Sequence, residues 1–409
     1  MTVGAAEPSP ADRLLACADL LACPQCGQPL AAVADDATAA STRTLRCPHG
    51  HSFDLAKQGY VSLLTGASTK MTGDAPAMLD ARAAFQSAGH FAPIAAALAA
   101  AVAATVPGVD TAIFGADSPP AAATGEARPG PRRKGGPAAP ADVGDPHESG
   151  TARPEARHRF RAGLTAPGMS VAAASAARLA TTLLSAGQVT EAALERPAAA
   201  GTAPRNEAAD PRSASHPGNH SPAVLEIGAG TGYYLAAVLD AVPGMRGIAL
   251  DVSKAAARRA ARAHPRAGSV LADAWRGLPV PDAAMTAVVS VFAPRNADEV
   301  ARVLNADGRF IVVTPTSRHL GELIEPLGMV SVDAAKEDRL AESLGGRFEL
   351  VGREAVEYTM ALSHEDVARV VAMGPSAFHG DAGRAEEITA LPDPVAVTAS
   401  VTVSVYRPR

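Results

Sequence analysis

The sequence predicts an α/β protein with a doubly wound, mostly parallel sheet, preceded by a small metal-binding module and interrupted by a long low-complexity segment. Strand and helix patterns alternate after Pro222, four cysteine and histidine side chains stand at metal-ligand spacing near the N-terminus, and a Pro-, Gly- and Ala-rich stretch separates the two regions. The 409 residues allow two ordinary domains or one domain with additions.

Composition limits the classes of function without choosing one. Hydrophobic residues make up 47% of the chain, and the formal net charge of −5 gives no global basic field for a nucleic-acid partner. No apolar run reaches the roughly 20 residues that a membrane span requires, and the N-terminus lacks the basic and apolar regions of a signal peptide. We therefore expect a cytoplasmic protein with no membrane association, in which reduced cysteines favour metal over disulfides.

Five segments are expected along the chain. They are a variable leader over 1–19, a metal-binding module over 20–66, a connector with packed helices over 67–116, an insertion over 117–221 and an α/β domain over 222–409. Gly89 and Pro93 break the connector's helical pattern into two helices. The insertion is expected to be mostly disordered because it has little apolar surface to bury, although Ala172–Leu194 could form a helix.

The metal-binding module carries two short pairs of ligands. Cys23 and Cys26 form a Cys-x2-Cys pair, and after a loop of 20 residues Cys47 and His51 form a Cys-x3-His pair. Two short ligand pairs of this kind, each on a tight turn, place four ligands around a tetrahedral zinc ion. A closed site with four protein ligands indicates a structural role rather than zinc chemistry. The spacing leaves His49 as an alternative ligand, and the fourth cysteine is expected to be a bystander.

The α/β domain is predicted from its alternating pattern. Strands are expected over 224–227, 247–250, 269–271, 287–291 and 309–314, with helices over 233–242, 254–264 and 297–304 between them. Two longer strands, over 348–361 and 395–406, flank a helix over 363–373. A closing antiparallel pair after parallel strands fits a class I methyltransferase sheet better than a dehydrogenase sheet.

A glycine-rich loop follows the first predicted strand of this domain. Gly228, Gly230 and Gly232 alternate there, and glycine lets the backbone turn sharply and approach a ligand closely. A dinucleotide-binding loop would have a wider last gap, because its third glycine packs the helix beside a pyrophosphate. Alternating glycines preceded by Glu226 suit S-adenosylmethionine, which carries a cationic amine and a sulfonium but no phosphate.

Acidic residues also stand at the ends of the next two strands. Asp251 ends the second strand, where its carboxylate can accept from both ribose hydroxyls, and Asp273 follows the third strand, where it can accept from the adenine amino group. Acidic side chains at three successive strand ends form a specific pattern. The predicted cofactor-binding residues are Glu226, Gly228, Gly230, Gly232, Tyr233, Asp251, Asp273 and Ala274.

Further motifs are distributed over the chain outside the leader and the insertion. They are Cys47-Pro-x-x-His51-Ser-Phe-Asp-Leu-Ala-Lys-x-Gly-Tyr-Val-x-Leu-Leu, Gly73-Asp74-x3-Met78-x2-Ala81-Arg82-x2-Phe85-x3-Gly89-His90, Val291-Phe-Ala-Pro294 with Glu299, Pro315-x2-Arg318-His319-Leu320 and Met373-Gly-Pro-Ser-Ala377. Together they resemble the bacterial 23S rRNA (guanine-N1)-methyltransferases. Their form is most similar to the branch that includes tylosin-resistance methyltransferases.

The resemblance implies methyl transfer from S-adenosylmethionine to N1 of one guanine in a hairpin loop of 23S rRNA domain II, with lowered sensitivity to tylosin-type macrolides. It implies His51 as the fourth zinc ligand, a zinc module that grips RNA, and a homodimer with an RNA-holding cleft. Local positive charge can bind phosphate, and the expected RNA contacts are Arg43, Arg46, Lys57 and Lys70. The insertion departs from the family pattern, but it precedes the glycine-loop strand and is expected to loop out.

The loop after the fourth strand lies where such enzymes place the acceptor. Phe292 could stack on the target base, Arg295 could meet a phosphate, and His319 is a second-line candidate at the same rim. These three are the predicted catalytic residues. A sulfonium is a good leaving group, so the enzyme mainly aligns donor and acceptor, while some group or water must take the N1 proton.

Two other functions remain open. A small-molecule methyltransferase with a purely structural zinc would have a closed hydrophobic acceptor pocket. A zinc-ribbon RNA-binding protein without catalysis would bind RNA independently of S-adenosylmethionine, but the intact glycine loop and acidic strand ends argue against it.

Overall fold

The structure is a computed structural model that describes residues 7–33, 43–66, 71, 73–107, 221–333, 336–374 and 383–409, with backbone alone at 336–338. The segment predicted as an insertion, with its helix over Ala172–Leu194, lies outside the described residues up to position 220. Within the described ranges, no single helix has the length and apolarity to cross a membrane. Pro76–Ser87 and Ala92–Ala103 reach that threshold only as a pair bent by 85°.

The described strands form two sheets. In chain order they are β1 (Ala31–Ala32), β2 (Thr44–Arg46), β3 (Ser52–Asp54), β4 (Tyr60–Ser62), β5 (Ala223–Ile227), β6 (Arg246–Asp251), β7 (Ala267–Leu271), β8 (Met285–Val291), β9 (Leu304–Pro315), β10 (Phe348–Leu362) and β11 (Val395–Pro408). The small sheet has the order β1-β2-β3, and the large sheet has the order β10-β11-β9-β8-β5-β6-β7-β4.

Helices cover both faces of the large sheet. They are α1 (Pro10–Leu15), α2 (Pro76–Ser87), α3 (Ala92–Ala103), α4 (Tyr233–Ala241), α5 (Lys254–Ala260), α6 (Ala297–Val303), α7 (Gly321–Ile324), α8 (Lys336–Gly345), α9 (His364–Met373) and α10 (Arg384–Thr389). One apolar cluster packs α3 and α4 on one face, and a second cluster joins α1 and Phe310 on the other. Every residue of β5 is buried, as expected for a parallel strand that is covered on both sides.

The parallel strands put their carboxyl ends at one edge of the sheet. β5 pairs in parallel with β6 and with β8, and β6 pairs in parallel with β7. The predicted closing hairpin is confirmed, because β10 pairs antiparallel with β11 and β11 pairs antiparallel with β9. The helix predicted over 254–264 ends at Ala260 instead, and a tighter turn over 261–263, with i to i+3 hydrogen bonds, precedes Pro265, which has no N–H to continue a helix.

The N-terminal module shares the large sheet with the α/β domain. Strand β4 pairs in parallel with β7, aligning Val61 with Val270. The N–H of Leu63 continues the ladder by donating to the carbonyl of Leu271 at 2.9 Å. Asp273 follows β7 by two residues, so the last strand of the N-terminal module supports the strand that leads into the predicted cofactor site.

Candidate active site and metal centre

The glycine loop between β5 and α4 lies directly against the loop that follows β8. All three predicted glycines have positive φ, at 70°, 55° and 78° for Gly228, Gly230 and Gly232. A Cβ on Gly228 would stand 2.5 Å from the Cβ of Ala293, a distance that no side chain tolerates. Glycine at this position therefore allows the two loops to touch.

The buried carboxylate of Glu226 connects β5 to the first turn of α4. Its Oε2 accepts from the N–H of Leu235 at 3.1 Å, and only 1% of the residue is exposed. Burial raises the pKa of Glu226 to about 8, against the opposing effect of the Leu235 hydrogen bond. In this position the side chain fixes the start of the helix beneath the glycine loop.

Asp251 connects the glycine loop to the start of α5. Its Oδ2 accepts from the N–H of Gly230 at 2.8 Å, and its Oδ1 accepts from the N–H of Ser253 at 2.7 Å. Burial raises the pKa of this carboxyl, and the two backbone donors lower it. Each carboxylate oxygen has two lone pairs, so the side chain can still accept from a ribose.

Asp273 lies beyond the next parallel strand. Its Oδ1 accepts from the N–H of Trp275 at 3.0 Å and so caps the short 3-10 helix Ala274–Arg276. The guanidinium of Arg276 lies 3.6 Å from the other oxygen. The structure therefore brings Glu226, Asp251 and Asp273 to neighbouring strand ends, as the sequence pattern predicts.

Three rings meet beside the glycine loop. Ring centroids lie 5.8 Å apart for Phe292 and His319, 6.4 Å for Phe91 and Phe292, and 6.1 Å for Phe91 and His319. Phe292 is 41% exposed. Phe292 and Leu320, the residue after His319, both adopt the left-handed backbone region, at φ 53° and 57°. Such strained non-glycine residues concentrate at functional sites.

His319 has a defined tautomer in this arrangement. Its Nδ1 accepts from the backbone N–H of Ser400 at 3.1 Å. A neutral imidazole with an accepting Nδ1 carries its proton on Nε2. Burial lowers the pKa of His319 to about 4, so the ring is neutral at physiological pH. The side chain is therefore suited to donate a hydrogen bond and poorly suited to accept a proton.

Arg295 is placed differently from the two ring-bearing candidates. Its Nη1 donates to the carbonyl of Ala293, on its own loop, at 3.4 Å. Burial lowers the pKa of the guanidinium. The structure brings Phe292 and His319 together, whereas Arg295 contacts its own loop.

The predicted zinc ligands converge. The ligand atoms of Cys23, Cys26, Cys47 and His51 all lie within 4.8 Å of one another. The Nδ1 of His51 lies 3.5 Å from the sulfur of Cys23 and 3.4 Å from that of Cys47, and the sulfurs of Cys26 and Cys47 are 3.6 Å apart. A tetrahedral zinc would place sulfur and nitrogen about 3.5 Å apart and two sulfurs about 3.8 Å apart. The four residues therefore fit zinc, while His49 is exposed and lies outside the cluster.

Sequence reasoning missed the residues of α2, and Phe91 immediately before α3, that contact the site. Gln86 accepts from the hydroxyl of Thr231 in the glycine loop at 2.7 Å, and Phe91 supplies the third ring. Arg82 also lies over this loop. The motif that contains Asp74, Arg82 and Phe85 was the available signal, but no local pattern shows that it reaches a loop about 150 residues away.

Comparisons with known proteins agree with this arrangement. The zinc-ribbon family described as "RlmA, N-terminal" matches residues 21–68, and the family described as "Methyltransferase domain" matches residues 224–308. A Micromonospora griseorubida protein with the provisional name 23S rRNA (guanine-N(1)-)-methyltransferase is 39% identical over 95% of this chain and 97% of its own length. The Streptomyces fradiae 23S rRNA (guanine(748)-N(1))-methyltransferase is 36% identical over 95% of this chain and 96% of its own length.

The fold, the glycine loop and the Cys3His cluster define an S-adenosylmethionine-dependent methyltransferase with an N-terminal zinc ribbon. The match to both relatives over 95% of the chain identifies the family within this class of methyltransferases. The chain belongs to the family of 23S rRNA (guanine-N1)-methyltransferases. The predicted fold class, cofactors and family are confirmed, and the roles of individual residues stay predictions.

We predict that His51→Ala destabilises the protein and weakens cofactor binding, whereas His49→Ala does neither. Loss of a structural zinc ligand should lower the free energy of unfolding by on the order of 3 kcal/mol. Because β4 supports β7, the affinity for S-adenosylhomocysteine should fall as well. Zinc content by mass spectrometry, urea unfolding and calorimetric titration measure the three effects. Equal zinc loss in both variants would contradict the assigned ligand set.

We predict that the stability of the cofactor-free protein, relative to Glu226→Gln, falls as the pH rises from about 5 to about 8. A carboxyl whose pKa is raised from 4.5 to about 8 by folding stabilises the folded state below pH 4.5 and loses that contribution up to pH 8. The difference should reach on the order of 4 kcal/mol. Urea unfolding at several pH values measures it, with exposed Glu354→Gln as the control. If the difference in unfolding free energy between the wild type and Glu226→Gln does not change with pH, folding does not raise the pKa of Glu226.

Proposed function

We propose that the protein transfers the methyl group of S-adenosylmethionine to N1 of one guanine in a hairpin of 23S rRNA domain II. The observation that carries the proposal is the contact of the glycine loop with the Phe292 loop, beside the three rings. Donor and acceptor sites are adjacent there, and the acceptor side is aromatic, as a planar base requires. The family membership supplies the substrate class.

We assign the target base to the exposed face of Phe292. Stacking on an aromatic ring stabilises an unstacked base by about 1–3 kcal/mol, and a base must leave its own stack to be modified. The rings of Phe91 and His319 pack beside the Phe292 ring, with centroids 6.4 Å and 5.8 Å away. The left-handed backbone at Phe292 fixes the direction of the ring at the end of β8.

S-adenosylmethionine, when bound, supplies a methyl group on a sulfonium that is already a good leaving group. The protein therefore has to align the guanine, exclude water and manage the N1 proton. His319 is suited to donate from Nε2 to the guanine O6, where negative charge grows as N1 loses its proton. A water molecule at the open rim then takes the proton, because the pKa of His319 is too low for a useful base.

The zinc ribbon is proposed to bind the RNA backbone. Arg43, Arg46 and Lys57 are exposed on the ribbon, and Lys70 lies outside the described residues. Phosphate contacts of this kind need local rather than global positive charge. Arg295 could add a phosphate contact only if its guanidinium leaves the Ala293 carbonyl. Action on 23S rRNA would place the protein in the cytoplasm.

Two finer proposals rest on the family resemblance. One is a homodimer that binds the RNA in a cleft, which light scattering with and without a hairpin RNA can test. The other is lowered sensitivity to tylosin-type macrolides, which inhibitory concentrations in a sensitive host expressing the protein can test.

The methyl-transfer proposal is tested with purified protein, labelled S-adenosylmethionine and 23S rRNA that lacks the modification. We expect N1-methylguanine in the digested RNA and a primer-extension stop at a single guanine. The name of the Streptomyces fradiae relative specifies guanine 748, and the position of the stop shows whether this chain acts on the corresponding base. Asp251→Asn should abolish transfer while RNA binding persists.

The alternatives predict different results in the same assay. Labelling of a small metabolite but not of rRNA would support a small-molecule methyltransferase. RNA binding without any transfer would support an inactive RNA-binding protein. Binding of the RNA substrate should weaken steeply with salt, which a small neutral substrate would not show.

We predict that His319→Gln retains far more activity than His319→Phe. The glutamine amide can replace the Nε2–H donor, whereas phenylalanine keeps only the ring, and loss of one such donor should cost about 10- to 100-fold in kcat. The rate profiles of the wild type and His319→Gln between pH 6 and 8 should have the same shape. If the wild-type rate depends on pH in a range where the rate of the glutamine variant does not, His319 acts as a base instead.

A further inference from the structure

Arg82 of α2 lies directly over the glycine loop. A Cβ placed on Gly230 would stand 3.1 Å from its Nη1. The same nitrogen pairs with the carboxylate of Asp74, and Nη2 donates to the carbonyl of Met373 at 3.0 Å. The guanidinium carries five N–H donors, so these two contacts leave others for a ligand.

The surroundings of the loop are otherwise acidic. Asp251 and Asp273 stand at neighbouring strand ends, and Arg82 contributes a positive charge that acts on Asp251. The methionyl end of S-adenosylmethionine has an α-carboxylate and an α-ammonium group. Acidic strand ends repel a carboxylate, whereas the planar guanidinium matches it with two parallel hydrogen bonds.

A second observation concerns the first turn of α4, directly after the glycine loop. The hydroxyl of Tyr234 is buried and has no hydrogen-bond partner among the described residues. Buried hydroxyls are nearly always paired, so an acceptor brought by a ligand at the start of α4 would satisfy this one.

The connector keeps Asp74 and Arg82 in place before any ligand arrives. The hydroxyl of Ser253 donates to the carbonyl of Asp74 at 2.8 Å. A Cβ on Gly73 would lie 2.5 Å from that of Ser253, so the connector lies directly against the start of α5. A site fixed in this way binds without first ordering its side chains.

We propose that Arg82, oriented by Asp74, binds the α-carboxylate of S-adenosylmethionine, and that Asp74 accepts from its α-ammonium group. The inference rests on the proposed cofactor site and is independent of the rRNA substrate. Arg82 is thereby a specificity-determining residue that recognises the amino-acid end of the cofactor.

The test compares two ligands on the full-length protein by calorimetric titration without RNA. They are S-adenosylhomocysteine and the same compound lacking its α-carboxylate. Loss of the carboxylate should weaken binding to the wild type about 10- to 100-fold. In Arg82→Met the two ligands should bind within about twofold of each other, since the group that distinguishes them is gone. Arg82→Lys should restore part of the difference.

Arg259→Met is the matched control. Arg259 on α5 pairs with Asp80 on α2, so this variant removes a guanidinium from the same pair of helices but away from the loop. It should keep the wild-type ratio of affinities, with thermal unfolding as the check on folding for every variant.

Two results would overturn the inference. A wild type that binds both ligands equally well has no carboxylate subsite, whatever Arg82→Met does. An Arg82→Met protein that binds both ligands more weakly by the same factor would show a structural role. The ratio of the two affinities does not depend on rRNA methylation. Failure of methylation would therefore contradict the proposed substrate and not this subsite.

Discussion

The contact between Gly228 and Ala293 determines how the site is assembled. It requires a residue without a Cβ at the end of β5, because the loop after β8 occupies that space. The parallel register of β5 and β8 brings both loops to the same edge of the large sheet. Gly228 and Ala293 then touch there. The glycine loop and the loop that carries Phe292 therefore share one wall, and their relative position follows from the fold.

The zinc ribbon is part of this assembly rather than an appendage. Its strand β4 completes the edge of the large sheet next to β7, and the side chain of Arg246 in β6 pairs with Asp19 just before the ribbon. Metal binding supplies folding free energy to a module too small to be stable by burial alone. Because β4 pairs with β7, which leads into Asp273, this stabilisation extends from the ribbon to the predicted cofactor site.

The sequence predicted the parts of this arrangement that local patterns encode. Alternating strands and helices, the acidic strand ends and the Cys3His spacing depend on short-range chemistry, and each lies where the pattern indicates. Two features depend on long-range packing instead. Phe91 meets Phe292 and His319 only because α3 packs against α4 and β9, and Arg82 meets Gly230 only through tertiary contact. The end of α5 at Ala260 was also missed, although Pro265 was a visible signal.

The closing hairpin also positions the ring of His319. Ser400 of β11 donates its backbone N–H to His319, and its hydroxyl donates to Glu357 of β10 at 2.8 Å. The hydroxyl also shares a hydrogen bond of 2.6 Å with Thr316, three residues before His319. A parallel strand in place of β11 would point different backbone groups at this ring. The antiparallel strand therefore sets the proton of His319 on Nε2, so that sheet topology determines which hydrogen bond this ring can offer.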